Sequence, residues 1–185
     1  YLVTRADEIA ETIREAFYIA RSGRPGPVLI DICKNAQVES CEFVYPEELK
    51  LPGYQPVTRS PRNLLDQAVE LIERAKKPII LCGHGVLMSK AEEELMQFAV
   101  KTQTPVASTL LGLGAFPASH PLSLGMMGMH GEAYTNMAIQ TSDLILAFGM
   151  RFDDRVTGTL KTYAPKAKKI HIEIDPSEIH KNVFV

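Results

Sequence analysis

The larger, second part of the chain alternates two hydrophobic patterns. After residue 60, short uninterrupted apolar runs such as 79–82 and 144–148 alternate with longer segments whose apolar residues recur at helical spacing. Uninterrupted apolar runs are typical of strands covered on both faces, and helices between them connect parallel strands. The pattern predicts an α/β fold with a doubly wound, mostly parallel, Rossmann-like sheet from about residue 60 to the end.

The predicted strands of this sheet are 79–82, 105–109, 143–148 and 169–174. A helix begins with Ser60 as N-cap and Pro61 at its first position, because both residue types favour helix starts. Its predicted buried face consists of Leu64, Leu65, Ala68, Val69 and Ile72. Ser89 and Glu92 predict a capping box for a second helix, a third ends near residue 141, and a fourth begins near residue 176. No element is predicted at 110–131, and we expect the last strand of the sheet to be truncated.

Residues 1–35 show one helix followed by one strand. Thr4 and Asp7 resemble a capping box, and the apolar run at 28–32 predicts the strand. One helix and one strand cannot bury a core by themselves, so this segment is predicted to be the C-terminal tail of a preceding domain. Residues 36–59 lack periodicity and predict a linker. Because the chain starts without methionine inside a helical pattern, we expect it to be a piece of a longer polypeptide.

Composition narrows the class of protein. An apolar fraction of 45% and a charged fraction of 23% are ordinary for a globular protein. A formal net charge of −2 gives no support for a nucleic-acid partner, and no apolar run is long enough to predict a membrane span. The three cysteines, Cys33, Cys41 and Cys82, have no CxxC spacing, which indicates free thiols in a reducing compartment.

The densest charge lies directly after the apolar run at 144–148. Residues 149–158 have the sequence Gly-Met-Arg-Phe-Asp-Asp-Arg-Val-Thr-Gly. In open α/β sheets, ligands bind outside the carboxyl ends of the strands. Such charge has no packing purpose there, so it predicts an anionic ligand that forms hydrogen bonds.

Four segments that follow predicted strands are expected to converge, since the ends of parallel strands share one edge. They are 83–85, 109–114, 149–155 and 173–175. Glycines allow backbone amides to approach a phosphate, and helix N-termini favour negative charge. Together the segments predict a dinucleotide site.

Individual side chains of this edge leave alternatives open. Arg151 or Arg155 can pair bidentately with a pyrophosphate. Glu173 or Asp175 can accept from ribose hydroxyls, or can be strand-end caps. The glycines at 83–85 lack the third glycine of GxGxxG and also fit a plain turn.

Two further clusters have more than one interpretation. Asp153 and Asp154 fit a metal or general acid–base role, but salt bridges to the flanking arginines or helix capping are favoured. Met126, Met127, Met129 and His130 fit a soft-metal site, the lining of a flat apolar ligand, or core packing. No nucleophile elbow or P-loop is present, so we identify no catalytic residue in the chain.

Four motifs together resemble the acetolactate synthase family of thiamine-diphosphate enzymes. They lie at 24–31, 125–131, 149–158 and 171–175, so the resemblance runs through nearly the whole chain. It implies the end of an N-terminal pyrimidine-binding domain at 1–35, followed from residue 60 to residue 185 by most of a central domain that binds FAD.

The resemblance also implies roles for individual residues. Arg24 is similar to a flavin contact from the neighbouring domain, and Asp154 and Arg155 are similar to residues near the substrate channel where herbicides bind. The other implied flavin contacts are Gly83, Gly85, Thr109, Leu110, Met129, His130, Gly149, Arg151, Asp153, Arg155, Val156, Glu173 and Ile174.

The activity implied by the resemblance is the condensation of two 2-ketoacids, pyruvate with pyruvate or 2-ketobutyrate, with loss of carbon dioxide in branched-chain amino-acid biosynthesis. FAD would bind here, and thiamine diphosphate and magnesium outside this region. The glutamate that activates thiamine and the Gly-Asp-Gly motif that binds magnesium and pyrophosphate are absent from these 185 residues. We therefore expect this chain to be inactive alone.

The resemblance implies partners and a location as well. The partners are the remaining domains of the catalytic subunit, further copies in a homo-oligomer, and a regulatory subunit. The location is the bacterial cytoplasm, or an organelle in a eukaryote. The alternatives are the central domain of a pyruvate oxidase or glyoxylate carboligase, and a non-catalytic nucleotide-binding module.

Overall fold

The computed structural model describes residues 1–49 and 51–185, and the chain folds as two compact units. These units are Tyr1–Arg59 and Ser60–Val185. Their assignment to the pyrimidine-binding and central domains stays a prediction. None of the helices within the described residues is long and apolar enough to cross a membrane.

The first unit contains a short parallel pair of strands and two helices. Its elements are β1 (Leu2–Val3), α1 (Ile9–Arg21), β2 (Asp31–Ile32) and α2 (Lys34–Val38). β1 pairs with β2, which is shorter than the run predicted at 28–32. α2 was not predicted, because its five residues carry too few apolar positions to show helical spacing.

The helix start predicted at Thr4 and Asp7 is wrong. A 3₁₀ turn (Ala6–Glu8) precedes α1, and one Glu8 carboxylate oxygen accepts from the amides of Thr4 and Arg5, each at 3.2 Å. The carboxylate therefore caps from inside the turn, as in the second half of a capping box. Asp7 instead pairs with the exposed Arg5 guanidinium.

The second unit is built on five parallel strands, which confirms the predicted fold class. The strands are β3 (Pro78–Cys82), β4 (Val106–Ser108), β5 (Ser123–Met126), β6 (Leu144–Phe148) and β7 (Lys168–Ile172). Their order in the sheet is β5-β4-β3-β6-β7. The sequence did not predict β5, because this edge strand is only half buried and lacks an apolar run.

The side chains of β3 and β6 alternate between two core clusters. Ile79 and Ile145 belong to one cluster, whereas Ile80 and Leu146 belong to the other. All four are almost completely buried. Both faces of the sheet are therefore covered, as uninterrupted apolar strands require.

Helices connect these strands. They are α3 (Arg62–Arg74), α4 (His84–Met88), α5 (Glu92–Thr102), α6 (Ala133–Thr141) and α7 (Asp154–Thr157). The segment beginning at Pro176, predicted as a helix, forms only a 3₁₀ turn (Pro176–Glu178).

The predicted buried face of α3 is largely wrong. Leu64, Leu65 and Val69 are 52%, 47% and 52% exposed, and no residue of this helix is fully buried. The helix contacts the core through the neighbouring part of its apolar stripe, at Leu71 and Ile72. Helical spacing defined the stripe but not which part of it faces the sheet.

The capping box predicted at Ser89 is also wrong. α4 begins directly after Gly83, where a turn was predicted, and α5 begins after Ala91. The Ser89 hydroxyl donates to the Gly85 carbonyl at 2.8 Å and so closes the end of α4. A serine can satisfy helix carbonyls as well as amides, which the spacing alone did not distinguish.

Asp143 ties the start of β6 to the segment before β3. Its two carboxylate oxygens accept from the amides of Lys76 and Lys77 at 2.7 and 2.9 Å. Burial acts to raise the pKa of this carboxyl, but the hydrogen bonds from the Lys76, Lys77 and Asp143 amides, together with the charge of Lys77, hold the pKa below its usual value. The ionised form is therefore favoured by folding.

We predict that Asp143→Asn destabilises the second unit by about 1–2 kcal/mol at pH 7, because charged acceptors make the stronger hydrogen bonds. Since the folded-state pKa is lowered, the stabilisation is present above the ordinary aspartate pKa and is lost as pH falls through the lowered value. Urea unfolding from pH 7 to pH 2 should show the difference from wild type disappear. Asp154→Asn is the control, since its ion pair is exposed. A difference that persists unchanged at pH 2 would contradict this role.

Candidate functional site

The carboxyl ends of β3, β4, β6 and β7 meet at one edge of the sheet and bring the four predicted segments together. Three hydrogen bonds of 2.9 Å link successive ends, from the amides of Gly83, Thr109 and Gly149 to the carbonyls of Phe148, Cys82 and Ile172, respectively. The convergence thus arises from the ladder of the parallel sheet itself.

The glycines at this edge permit close backbone packing. A Cβ on Gly83 would lie 2.3 Å from the Gly149 carbonyl oxygen, and a Cβ on Gly85 would lie 2.6 Å from the Gly149 Cα. The Gly85 amide donates to the Gly149 carbonyl at 3.0 Å. The amides of all three glycines therefore bond within the protein, which differs from the predicted approach of these amides to a phosphate.

The segment after β4 presents apolar side chains. The Thr109 hydroxyl accepts from the Gly112 amide at 3.0 Å and so caps a 3₁₀ turn (Leu110–Gly112). Leu110 and Leu111 are 69% and 64% exposed. The same edge of the sheet thus offers apolar as well as charged surface.

The loop at 125–131 is fastened by a residue that the sequence did not identify. The Asn136 side-chain amide accepts from the Gly128 amide and donates to the Gly128 carbonyl, both at 2.9 Å. The Met129 amide then donates to the Arg155 carbonyl at 2.8 Å, which joins this loop to the charged motif. Asn136 lies in α6 between the buried residues Thr135 and Ile139, and no sequence pattern indicated its role.

The methionines of this loop divide between core and surface. Met127 is buried in the core, whereas Met129 is 60% exposed and His130 is exposed beside it. Core packing therefore accounts for Met127 alone. Among the described residues, no group of three or more His, Cys, Asp or Glu side chains is arranged to hold a metal ion.

The charged motif contains the salt bridges favoured by the sequence. Arg151 lies 3.7 Å from Asp153, and Arg155 lies 3.7 Å from Asp154. Pairs so exposed contribute little to stability, and the guanidinium groups keep donors for a ligand. One carboxylate oxygen of Asp153, Oδ1, is buried and accepts no hydrogen bond from the described residues.

The motif is anchored by buried aromatic residues. Phe152 is buried between the exposed Arg151 and the half-buried Asp153, and its φ of +50° is unusual for a bulky residue. Its ring packs edge-on against Tyr163 at 6.2 Å and against His171 at 5.1 Å between ring centroids. No sequence pattern predicted these contacts, because they join residues distant along the chain.

A cleft of about 280 Å³ lies beside the charged motif. Asp154, Arg155 and Val156 form part of its wall together with Met129 and Tyr163. Burial strongly raises the pKa of the Tyr163 phenol, and its hydroxyl finds no partner among the described residues. The two residues predicted near a substrate channel therefore line an open cleft.

In the segment after β7, Glu173 and Asp175 cap backbone amides, which is one of the two roles that the sequence analysis considered for them. One Glu173 oxygen accepts from the amides of Ile174 and Asp175 at 3.0 and 3.4 Å. Asp175 in turn accepts from the Ser177 amide at 3.0 Å. Ile174 is partly exposed.

Arg24, the remaining predicted contact, lies in the first unit, where it is exposed between α1 and β2.

Comparisons with known proteins agree with this architecture. The family profile described as "Thiamine pyrophosphate enzyme, central domain" matches residues 65–185. The chain is 50% identical over 181 residues to an acetolactate synthase large subunit of Corynebacterium glutamicum, and 51% identical over 186 residues to acetolactate synthase 2, chloroplastic, of Nicotiana tabacum. It is 46% identical over 186 residues to a probable acetolactate synthase large subunit of Methanocaldococcus jannaschii.

The matches cover nearly all of the chain but only part of each relative. They include 98%, 98% and 99% of this chain, and 29%, 27% and 32% of the three relatives, respectively. The family profile covers most of the second unit, including the sheet edge described above. The chain therefore belongs to the thiamine pyrophosphate enzyme family, and its residues 65–185 correspond to the central domain of that family.

Proposed function

We propose that this chain is the FAD-binding central region of an acetolactate synthase catalytic subunit. The observation that carries the proposal is the identity of about half of all residues to acetolactate synthases over almost the whole chain. The parent protein would join two molecules of pyruvate, or pyruvate and 2-ketobutyrate, with loss of carbon dioxide, in branched-chain amino-acid biosynthesis.

The sheet edge has the chemistry that a flavin dinucleotide requires. Leu110 and Met129 offer exposed apolar contacts for a flat ring, and Arg151 and Arg155 offer donors for a pyrophosphate. The unpaired Asp153 Oδ1 can accept from a ribityl hydroxyl, which would satisfy a buried polar atom. These features support the fit of FAD to this edge.

The proposed contacts extend along the edge. They include Gly83, Gly85, Thr109, His130, Gly149, Val156, Glu173 and Ile174. By resemblance to the family, Arg24 is proposed as a further flavin contact. Asp154 and Arg155 would face the substrate channel through the cleft that they line.

Thiamine diphosphate supplies the nucleophilic carbon for 2-ketoacid condensation in this proposal. It would bind with magnesium outside these residues, because the activating glutamate and the Gly-Asp-Gly motif are absent here. The part of this chain is to hold the flavin and to shape the entrance of the active site. We further propose a homo-oligomeric parent with a regulatory subunit, in the cytoplasm of a bacterium or in an organelle.

We predict that the full-length parent produces acetolactate from pyruvate when thiamine diphosphate, magnesium and FAD are supplied. Colorimetric detection of acetoin after acid decarboxylation measures the product, and omission of thiamine diphosphate is the control. Absence of acetolactate would overturn the proposed activity. Reduction of the flavin by pyruvate would instead indicate an oxidase, and tartronate semialdehyde from glyoxylate would indicate a carboligase of the alternative class.

A further inference from the structure

The turn that carries Arg151 and Asp153 is held in an unusual conformation. It leaves β6 at Gly149 and alternates buried Met150 and Phe152 with the two charged residues. A positive φ at a bulky residue such as Phe152 is unfavourable unless surrounding contacts maintain it. The contacts around Phe152 therefore decide which way the charged side chains point.

His171 makes the contacts that maintain this turn. Its Nε2 lies 2.7 Å from the Met150 carbonyl oxygen, and its ring packs edge-on against Phe152, 5.1 Å between centroids and at 77°. The imidazole is 1% exposed. A carbonyl only accepts, so Nε2 must carry the proton and donate. One buried side chain thus supports two successive parts of the turn.

His171 also lies next to Glu173, which is among the contacts proposed for FAD. It precedes Glu173 by two residues on the same chain segment, and its Nε2 is 4.0 Å from a Glu173 carboxylate oxygen. The Glu173 side chain is itself 7% exposed and is fixed by the amide of Ile174. The imidazole therefore lies beside both the charged motif and the segment after β7.

The surroundings of the imidazole favour its neutral form. Burial lowers the pKa of His171, although the Met150 carbonyl and the carboxylates of Glu173 and Glu178 act in the opposite direction, and His180 adds to the lowering. Its second nitrogen, Nδ1, is buried and has no partner among the described residues. A proton added at Nδ1 would find no acceptor there.

We propose that His171 is a positioning residue of the FAD site, which fixes the 150–152 turn through the Met150 carbonyl and the Phe152 ring so that Arg151 and Asp153 face the ligand. The identity of that ligand rests on the proposed FAD function. The juxtaposition of imidazole, carbonyl and ring does not depend on that function.

A matched pair of substitutions tests this role on the purified chain. His171→Gln keeps an N–H near the position of Nε2, whereas His171→Met keeps similar length and volume but has no donor. We expect His171→Gln to bind FAD within about threefold of wild type and His171→Met to bind about tenfold more weakly, by titration of FAD fluorescence. Equal affinity of both variants and wild type would overturn the proposal.

The pH dependence of FAD affinity distinguishes a positioning role of His171 from a purely structural one. Because burial lowers the pKa of His171 in the folded chain, its imidazole is still neutral where an ordinary histidine with a pKa of 6.5 becomes protonated, and it gains a proton only at lower pH. Wild-type affinity for FAD should therefore fall at a pH below 6.5, as His171 gains a proton and the 150–152 turn is disturbed, and it should fall more steeply than that of His171→Gln. Parallel pH profiles for the two proteins would contradict the proposal.

Hydrogen exchange separates failure of this inference from failure of the FAD proposal. Without any ligand, His171→Met should increase amide exchange in residues 149–155, whereas His171→Gln should not. If wild type binds no FAD but the exchange difference is found, the positioning role stands and the ligand is wrong. If exchange at 149–155 is unchanged in both variants, the positioning role is wrong whether or not FAD binds.

Discussion

Replacing Gly83 with alanine is expected to destabilise the second unit by about 3 kcal/mol or more, the upper range for overpacking in a close-packed region. The new Cβ would lie 2.3 Å from the Gly149 carbonyl oxygen and 2.8 Å from the Met150 Cα, and neither backbone atom can move without disturbing β6. Urea unfolding followed by circular dichroism would measure the loss.

Gly26→Ala is the matched control for this substitution. Gly26 has no atom within 4 Å of its added Cβ, so alanine should change stability by less than about 0.5 kcal/mol there. A Gly83→Ala protein as stable as wild type would contradict the close packing of β3 and β6 at their carboxyl ends. The positions proposed for the ligand would then need revision too, because they depend on that packing.

The second large effect concerns the arginines of the charged motif. The double variant Arg151→Ala, Arg155→Ala is expected to weaken FAD binding by about 100-fold, because a hydrogen bond to a charged group contributes about 1.5–3 kcal/mol. Stability without ligand should change little, since the ion pairs of both guanidinium groups, at 3.7 Å, are exposed. Isothermal titration calorimetry measures the affinity directly.

The control for this variant lies on α3. Arg62 and Arg74 form exposed pairs with Asp66 and Glu70, respectively, one helical turn away. Replacing both with alanine removes the same total charge but should leave FAD affinity within about twofold. An equal loss of affinity in both double variants would mean that net charge, and not the geometry of the motif, attracts the ligand.

The centre of the sheet was predictable because its strands β3, β4 and β6 are almost completely buried. Burial on both faces requires uninterrupted apolar runs, and β3 and β6 were located to within one residue at each end. β5 escaped prediction because it lies at the sheet edge, pairs irregularly with β4 alone, and includes Gly125 with a positive φ. The hydrophobic pattern of the sequence gives little information about an irregular edge strand such as β5.

The segments of the candidate site were predictable, but the side chains that hold these segments in place were not. The topological rule for parallel strands placed four segments at one edge without any contact being known. Asn136 and His171, which hold that edge in place, bond the backbone of Gly128 and Met150, respectively 8 and 21 positions earlier. No spacing rule connects such pairs, so they become visible only in three dimensions. The part of the α3 apolar stripe that faces the sheet also depends on contacts with residues elsewhere in the chain. Helical spacing alone therefore did not predict that Leu64, Leu65 and Val69 are exposed.

The most direct test of the central claim is the thermal unfolding of this chain with FAD, FMN and ADP in parallel. A ligand at one hundred times its dissociation constant adds about 2.7 kcal/mol to stability. We predict that FAD stabilises the second unit well beyond FMN or ADP, because the proposed site offers contacts for the flavin ring, the pyrophosphate and the ribose hydroxyls together. Equal shifts with all three ligands, or no shift with any, would contradict a flavin site at this sheet edge.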